Sequence, residues 1–219
     1  EVRHRVERQA CCETRRKLRG YCGQVFRYAS ASGLATRDVS QDWRGAFVPK
    51  MTKHLASIIE PKAIGDLMRA IDNYNGYIAT KCALRFSALT FGRPGEIRQA
   101  EWAEIDWIAN EWRVPAEKMK KRRPHIVPLS KQVIDVLREL EPLTGTGQFL
   151  FTGMRKRTRP MSDATITNAL RNMGYSGDEM TANGFRSMAS TRLNEMGWNR
   201  DAIERQLAHV EGNAVRAAY

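Results

Sequence analysis

The segment YIATKCALRFSALTFG, from Tyr77 to Gly92, constrains the fold most, because it is strongly apolar over a length typical of a helix. A helix that is apolar on most sides lies within a core, and other elements pack around it. The pattern predicts that this helix ends at Gly92, so Arg93 directly follows a buried helix end. Such a junction is rigid, so the backbone at Arg93 is expected to be well fixed.

Helical periodicity extends over most of the remaining sequence. Residues 13–33 place apolar side chains at helical spacing, and Pro61 stands at the first position expected for another helix. Serine or asparagine precedes three later periodic runs, so we expect N-caps at Ser130, Ser162 and Asn199. In residues 13–33 the apolar stripe consists of Leu18, Tyr21, Cys22, Val25, Phe26 and Ala29.

The stretch EIDWIANEWRVPAEKMKKRRPHIVPLS has a different character. Its aromatic and β-branched residues, with a turn signal at Ala109 and Asn110, predict a small antiparallel sheet that flanks a very basic centre. The predicted fold class is therefore mainly α with a small antiparallel β-sheet, an α+β arrangement.

The charge of the chain favours a polyanionic partner. Its 219 residues carry a formal net charge of +12, which is unusual for a soluble domain. A basic surface of this size attracts nucleic acid more readily than a neutral metabolite. The alternative is a basic surface without such a partner.

Neither a membrane protein nor a zinc protein is expected. No stretch reaches the roughly 18 uninterrupted apolar residues of a membrane span, and the first residues lack the apolar core of a secretion signal. We therefore expect a cytoplasmic protein, associated with the nucleoid. The cysteines form no CxxC pair, so we expect buried thiols in a reducing compartment and no metal site. They are Cys11, Cys12, Cys22 and Cys82.

Four local patterns occur in a fixed order, namely FGRPGEIRQAEW, MKKRRPHIVPLS, NGFRSMASTRLNE and QLAHVEGNAVRAAY. Each is weak alone, but the ordered set resembles the tyrosine recombinase (phage integrase) family, and most closely the integrases of satellite prophages and genomic islands. The resemblance implies a catalytic domain over residues 55–219, a linker over 48–54 and the distal part of a helical core-binding domain over 1–47. Family members continue beyond the nucleophile and begin earlier, so we expect this chain to be a fragment.

The resemblance gives each matching residue a role. Arg93 and Arg186 match two arginines whose guanidinium groups stabilise negative charge on the phosphate in the transition state. Glu96, one turn after Arg93, is expected to orient the start of its helix or to pair with a neighbouring base. His209 matches a donor to a nonbridging phosphate oxygen, and Tyr219 matches the nucleophile. Because the phosphotyrosyl link conserves the bond energy, the resemblance implies no metal and no cofactor.

The catalytic lysine has one matching position and two alternatives. Lys120 matches the family's hairpin lysine, which protonates the departing 5′ oxygen. Lys118 and Lys121 remain open, because a shift of one residue in strand register moves each side chain to the other face.

Asn183 departs from the family pattern, in which NGFR usually reads HxxR. Asparagine can donate a hydrogen bond to phosphate, but it cannot carry a proton near neutral pH. Three interpretations remain: a tolerated natural variant, an engineered or decayed weak enzyme, or a site in which another group takes over. We favour an active or weakened enzyme, because the other catalytic positions match.

Two basic segments, the hairpin and the loop GMRKRTRP, are expected to bind DNA phosphates. The DNA-binding candidates are Lys118, Lys121, Arg122, Arg123, Arg155, Lys156 and Arg157.

The predicted function is site-specific recombination. The protein would cleave and rejoin DNA through a 3′-phosphotyrosyl intermediate, to integrate or excise a mobile element. Its expected partners are double-stranded attachment sites, further copies in a tetramer on DNA, and possible accessory DNA-bending proteins. Two alternatives are a DNA-binding module with a decayed or weakened site and a type IB topoisomerase that relaxes DNA. The sequence around Arg93 and Pro128 favours the integrase over the topoisomerase.

Overall fold

The computed structural model describes residues 12–43, 56–119 and 121–208. The chain divides into two compact units, Glu1–His54 and Leu55–Tyr219. Three predicted catalytic residues, Lys120, His209 and Tyr219, lie outside the described residues, as does the predicted linker.

The described part of the first unit contains helix α1, Cys12–Ala31, followed by a 3-10 helix, Val39–Trp43. The predicted helix is therefore confirmed. Its apolar stripe is only partly covered, because Tyr21 is 62% exposed and Val25 is 65% exposed. Arg27 of α1 forms an ion pair of 3.2 Å with Asp38, which precedes the 3-10 helix.

The second unit combines helices with a sheet of three short strands. Helices α2, Pro61–Asp72, α3, Ile78–Thr90, and α4, Pro94–Arg98, come first. The strands are β1, Ile105–Asp106, β2, Glu111–Val114, and β3, His125–Pro128. Short 3-10 helices, Trp102–Glu104 and Ala116–Lys118, lie before β1 and after β2. Helices α5, Lys131–Thr144, α6, Thr165–Asn172, α7, Gly184–Glu195, and α8, Arg200–Gln206, follow.

Helix α3 lies in the core, as its composition predicts. Cys82 and Phe86 are fully buried, and burial raises the pKa of the Cys82 thiol to about 12. The Phe86 ring packs edge-on against Trp112 of β2 at a centroid distance of 5.2 Å and against Phe151 at 5.3 Å. Helix, sheet and the segment before α6 thus share one apolar centre.

The predicted antiparallel sheet is confirmed, with strand order β1-β2-β3. Trp112 pairs with Ile105 on one side and with Val127 on the other, and these side chains are buried. Asn110, in the predicted turn, has a left-handed φ of 52°, a conformation that asparagine tolerates better than most residues. The sheet fixes the two strands from which the basic hairpin extends.

Two helix boundaries differ from the sequence prediction. Helix α3 ends at Thr90, and the residue with the left-handed conformation is Phe91, with φ 59°, rather than Gly92. Glycine is needed at 92 for space, because a Cβ there would lie 2.9 Å from Ile97 and 3.1 Å from Trp112. Ser162 does not cap α6, which begins only at Thr165; its hydroxyl lies 3.0 Å from the Thr165 hydroxyl instead.

The other helix starts agree with the prediction. Pro61 is the first residue of α2. The Ser130 hydroxyl accepts the backbone N–H of Val133, and the Asn199 side chain accepts that of Asp201. Within the part of the chain that the structure describes, no helix is long and apolar enough to cross a membrane.

Candidate active site

Arg93 occupies the N-cap position of α4, where Glu96 holds it at two points. One Glu96 carboxylate oxygen accepts the Arg93 backbone N–H at 3.1 Å, and the other accepts the guanidinium Nη1 at 2.7 Å. Glu96 is 7% exposed, so its carboxylate is largely shielded from water, while the Arg93 side chain is partly exposed. Both the backbone and the side chain of Arg93 are therefore fixed by Glu96 at the start of α4, where Glu96 is expected to orient the helix or to pair with a neighbouring base.

Arg186, from α7, reaches the same place from another part of the chain. Its Nη1 donates to the carbonyl of Phe91 at 2.6 Å, so the left-handed residue at the end of α3 supplies the acceptor. Burial, followed by the nearby charge of Arg93, lowers the pKa of Arg186 to about 10. The guanidinium therefore remains protonated at neutral pH and keeps its positive charge inside the site.

The end of α8 is the point at which the two arginines meet. Arg186 Nη2 donates to the carbonyl of Leu207 at 2.5 Å, and Arg93 Nη2 donates to the carbonyl of Ala208 at 3.1 Å. The side chain of Gln206 donates to the carbonyl of Thr90 at 3.0 Å. Two residues that are far apart in sequence thus bind consecutive carbonyls immediately before His209.

Asn183 precedes α7, and its side chain is exposed. It occupies the N-cap position without making a side-chain capping hydrogen bond, while its carbonyl accepts the backbone N–H of Arg186 at 3.1 Å. The amide is therefore not used to hold the helix, and it remains compatible with the predicted contact to a phosphate.

His125, the first residue of β3, is a site residue that no sequence pattern indicates. Its Nε2 lies 3.3 Å from the carbonyl of Gln206, and the ring is half-buried. Burial lowers the pKa of His125, and the charges of Arg93, Arg186 and Glu96 also act on it. The motif MKKRRPHIVPLS contains this histidine, but no local pattern indicates contact with a residue 81 positions away.

Lys118 lies at the base of the hairpin, where its charge is neutralised. Its ammonium group forms an ion pair of 2.6 Å with Glu101 and a second, closer one with Glu104. It also donates to the Gln99 carbonyl at 2.8 Å. Glu104 accepts the Trp112 indole N–H at 2.8 Å as well, so this cluster attaches the hairpin to the core. The placement favours an anchoring role for Lys118 over phosphate binding or proton transfer.

The remaining basic candidates lie on the surface. Arg122 has a left-handed φ of 49°, which marks a tight turn in the hairpin. The exposed side chains of the hairpin are Lys121, Arg122 and Arg123, and those of the second basic loop are Arg155, Lys156 and Arg157. Among the described residues, no group of three or more His, Cys, Asp or Glu side chains could hold a metal ion.

Two family descriptions match the chain. That of the phage integrase family covers residues 57–219, and that of the phage integrase central domain covers residues 1–46. The chain belongs to the phage integrase family. This membership confirms the resemblance that the four ordered motifs indicate, and residues 57–219, which contain Arg93 and Arg186, match the phage integrase family itself.

Curated members of the family are similar over nearly the whole chain. The prophage integrase IntA of Escherichia coli (strain K12) is 37% identical over 214 residues, which are 98% of this chain and 51% of that protein. The integrase of Enterobacteria phage P4 is 36% identical over 209 residues, which are 89% of this chain and 47% of that protein. The chain therefore spans about half the length of these relatives.

Solved integrase structures share the fold. A lambda integrase (75–356) dimer bound to a COC′ core site has a TM-score of 0.67 at 18% identity, with 88% of this chain and 70% of that chain covered. The Tn1549 transposon integrase in complex with circular intermediate DNA has a TM-score of 0.71 at 14% identity, with 97% and 76% covered. The predicted α+β class of the tyrosine recombinase catalytic domain is confirmed.

Proposed function

We propose that the chain is the core of a site-specific DNA recombinase, which cleaves and rejoins DNA through a 3′-phosphotyrosyl intermediate. The observation that carries this proposal is the convergence of Arg93 and Arg186 on the backbone directly before His209. Two guanidinium groups at one point form a site suited to a phosphate with growing negative charge. Their arrival from separate helices gives that site a defined geometry.

In the proposed reaction the phenolate of Tyr219 attacks the scissile phosphorus. A bond forms between the tyrosine oxygen and phosphorus while the bond to the 5′ oxygen breaks, and Lys120 gives the departing oxygen its proton. Arg93 and Arg186 bind nonbridging oxygens, and His209 and Asn183 donate further hydrogen bonds to them. Attack by a 5′ hydroxyl then reverses these steps and releases Tyr219, so no external energy source is consumed.

The domain assignment forms part of the same proposal. Residues 55–219 carry the catalysis, residues 1–47 belong to a core-binding domain, and residues 48–54 link the two. The substrate is a double-stranded attachment site of a mobile element, reached in the cytoplasm. One similar structure is described as a lambda integrase tetramer bound to a Holliday junction, which supports tetramer assembly for the whole protein. Accessory DNA-bending proteins are a further partner class for that assembly.

The exposed basic side chains support DNA as the substrate. Arg155, Lys156 and Arg157 lie together in one exposed loop, and three further cations extend from the hairpin. Contacts of this kind bind the phosphate backbone regardless of sequence and make affinity dependent on salt.

A DNA-binding module with a weakened site is the second candidate. It is favoured by Asn183, which places an amide where the family pattern has a proton-carrying imidazole. The two candidates agree on DNA binding and differ in whether a covalent adduct forms.

Covalent trapping on a nicked suicide duplex that carries a candidate attachment core separates them. We expect a DNA adduct that survives denaturing electrophoresis and disappears in Tyr219→Phe. Asn183→His, tested alongside, should increase the adduct yield if the amide limits the reaction. Tight DNA binding without an adduct from either protein would support the binding module.

A further inference from the structure

Three donors from three elements bind three successive carbonyl oxygens at the end of α8. His125 of β3 lies 3.3 Å from the carbonyl of Gln206, Arg186 binds that of Leu207, and Arg93 binds that of Ala208. The last carbonyls of a helix have no partner within the helix and carry the negative end of its dipole. Groups that donate hydrogen bonds are therefore well matched to this position.

The contact with a carbonyl requires a hydrogen on Nε2 of His125. A carbonyl oxygen only accepts hydrogen bonds, so Nε2 must carry the hydrogen. Burial lowers the pKa of the imidazole, and the neutral ring with its hydrogen on Nε2 satisfies this contact. Unlike Arg93 and Arg186, His125 has no role in the mechanism described above, so its hydrogen bond need not be shared with a substrate.

The backbone around Gln206 is consequently attached to two elements. His125 binds the Gln206 carbonyl from β3, and the Gln206 side chain binds the Thr90 carbonyl at the end of α3 at 3.0 Å. His125 also begins the strand that directly follows the hairpin of Lys120. One hydrogen bond thus connects the hairpin strand to the helix end that leads into His209.

We propose that His125 is a positioning residue, which holds the end of α8, and with it the start of the segment that contains His209 and Tyr219, in register with the Lys120 hairpin. This inference rests on the proposed recombinase function. When a phosphate engages the two arginines, the His125 contact keeps the helix end in place. Without it, proton donor and nucleophile are aligned less often, which lowers the rate of cleavage and not the affinity for DNA.

The test compares His125→Phe, which keeps a ring of similar size but cannot donate, with His125→Gln, whose amide can donate to the same carbonyl. We measure single-turnover cleavage of the suicide duplex at saturating protein, together with DNA affinity. A misplacement of about 1 Å can cost ~100-fold in rate, so we expect a loss of about 10- to 100-fold in His125→Phe at unchanged affinity. His125→Gln should recover most of that loss.

Two outcomes would overturn the proposal: full activity in His125→Phe, or equal loss in the Phe and Gln variants, which would indicate that the imidazole itself transfers a proton. A wild-type protein without a Tyr219-dependent adduct would contradict the proposed function instead. A further readout is made on the wild-type protein and does not require activity. Ring ¹⁵N shifts, assigned by comparison with His125→Gln, should show the hydrogen on Nε2; a hydrogen on Nδ1 alone would disprove the contact.

Discussion

At the scale of single residues, the side chains of this site donate hydrogen bonds to backbone carbonyls. Arg93 binds the Ala208 carbonyl, Arg186 binds the carbonyls of Phe91 and Leu207, and His125 binds that of Gln206. Glu96 restrains Arg93, with one carboxylate oxygen on the Arg93 backbone N–H and one on its guanidinium. Substitutions at these residues should therefore change the positions of the catalytic groups more than the affinity for DNA.

Glu96→Gln tests this at the arginine. The amide has only one acceptor oxygen, so either the N–H or the guanidinium of Arg93 loses its partner. We expect a loss of about 1–3 kcal/mol in the free energy of unfolding, as for hydrogen bonds to buried charged groups, and slower cleavage by DNA-bound protein. Chemical denaturation and single-turnover cleavage measure the two effects. Glu139→Gln, which removes the charge of an exposed partner of Arg85, is the matched control, with a change below about 1 kcal/mol.

His125 gives the folded state a pH dependence with a defined sign. Its pKa in the folded protein lies below the ordinary value of 6.5, under the influence of burial, of the Arg93 and Arg186 charges and, in the opposite sense, of Glu96 and the Gln206 carbonyl. The unfolded chain therefore binds more protons between the two values. Its stabilising contribution is complete above the unfolded pKa and is lost as the pH falls through the folded pKa.

The measurement is the free energy of unfolding of the protein and of His125→Gln across mildly acidic to neutral pH. The glutamine does not titrate, so the protein should lose stability relative to this variant as the solution becomes more acidic. A difference that stays constant over this range would show that the imidazole has the same pKa in both states.

At the scale of elements, the beginning of α7 depends on Gly184, the glycine of the NGFR motif. A Cβ at Gly184 would lie 2.7 Å from the carbonyl oxygen of Ala56 and 2.7 Å from the sulfur of Met180. Gly184→Ala should therefore displace the helix that carries Arg186 and destabilise the protein by about 1–3 kcal/mol. Gly95→Ala in α4, with nothing within 4 Å of the added Cβ, should be neutral or slightly stabilising. Thermal unfolding compares the two, and equal losses would contradict the steric explanation.

The sequence predicts elements well where local chemistry decides them. The apolar pattern of α3, Pro61, the caps Ser130 and Asn199 and the turn at Asn110 all occur as expected. The predicted helix end at Gly92 is wrong, because glycine can be required at a position either for a left-handed φ or for lack of space for a side chain. At this position the neighbours Ile97 and Trp112 require the space, and no local pattern distinguishes the two demands.

For the site, the sequence indicates which residues matter but not what they contact. Arg93 and Arg186 were selected from motifs, and the structure brings them to one helix end. Lys118 was a DNA-binding candidate, whereas its partners Glu101 and Glu104 attach it to the hairpin base. His125 was missed because its acceptor is a backbone carbonyl, and a carbonyl at Gln206 has no signature in the sequence.

At the scale of the whole molecule, the net charge of +12 is expected to favour DNA binding mainly where basic side chains are clustered and exposed. Neutralising Arg155, Lys156 and Arg157 together should weaken DNA binding and reduce the slope of log affinity against log salt by up to about 3. Cleavage by protein already bound should change little, because these side chains belong to the basic loop and not to the arginine site. The measurement is DNA affinity at several salt concentrations.

The matched control removes three other cations, Lys62, Arg69 and Arg138, which lie on the exposed surfaces of α2 and α5. It lowers the net charge equally, so a smaller change in the salt slope would locate DNA binding at the loop. Equal changes in both triple variants would instead point to a general effect of net charge.

The attachment of α8 through main-chain oxygens also bears on how the protein can be redesigned. Every peptide unit offers the same carbonyl, so the identities of Leu207 and Ala208 are not what Arg186 and Arg93 recognise. A chimera that exchanges the terminal segment with that of a relative should therefore retain the junction, provided that the donor segment is spliced after position 208. An insertion or deletion within α8 would instead change which carbonyls lie opposite the three donors, and would disconnect the helix end from His125, Arg186 and Arg93.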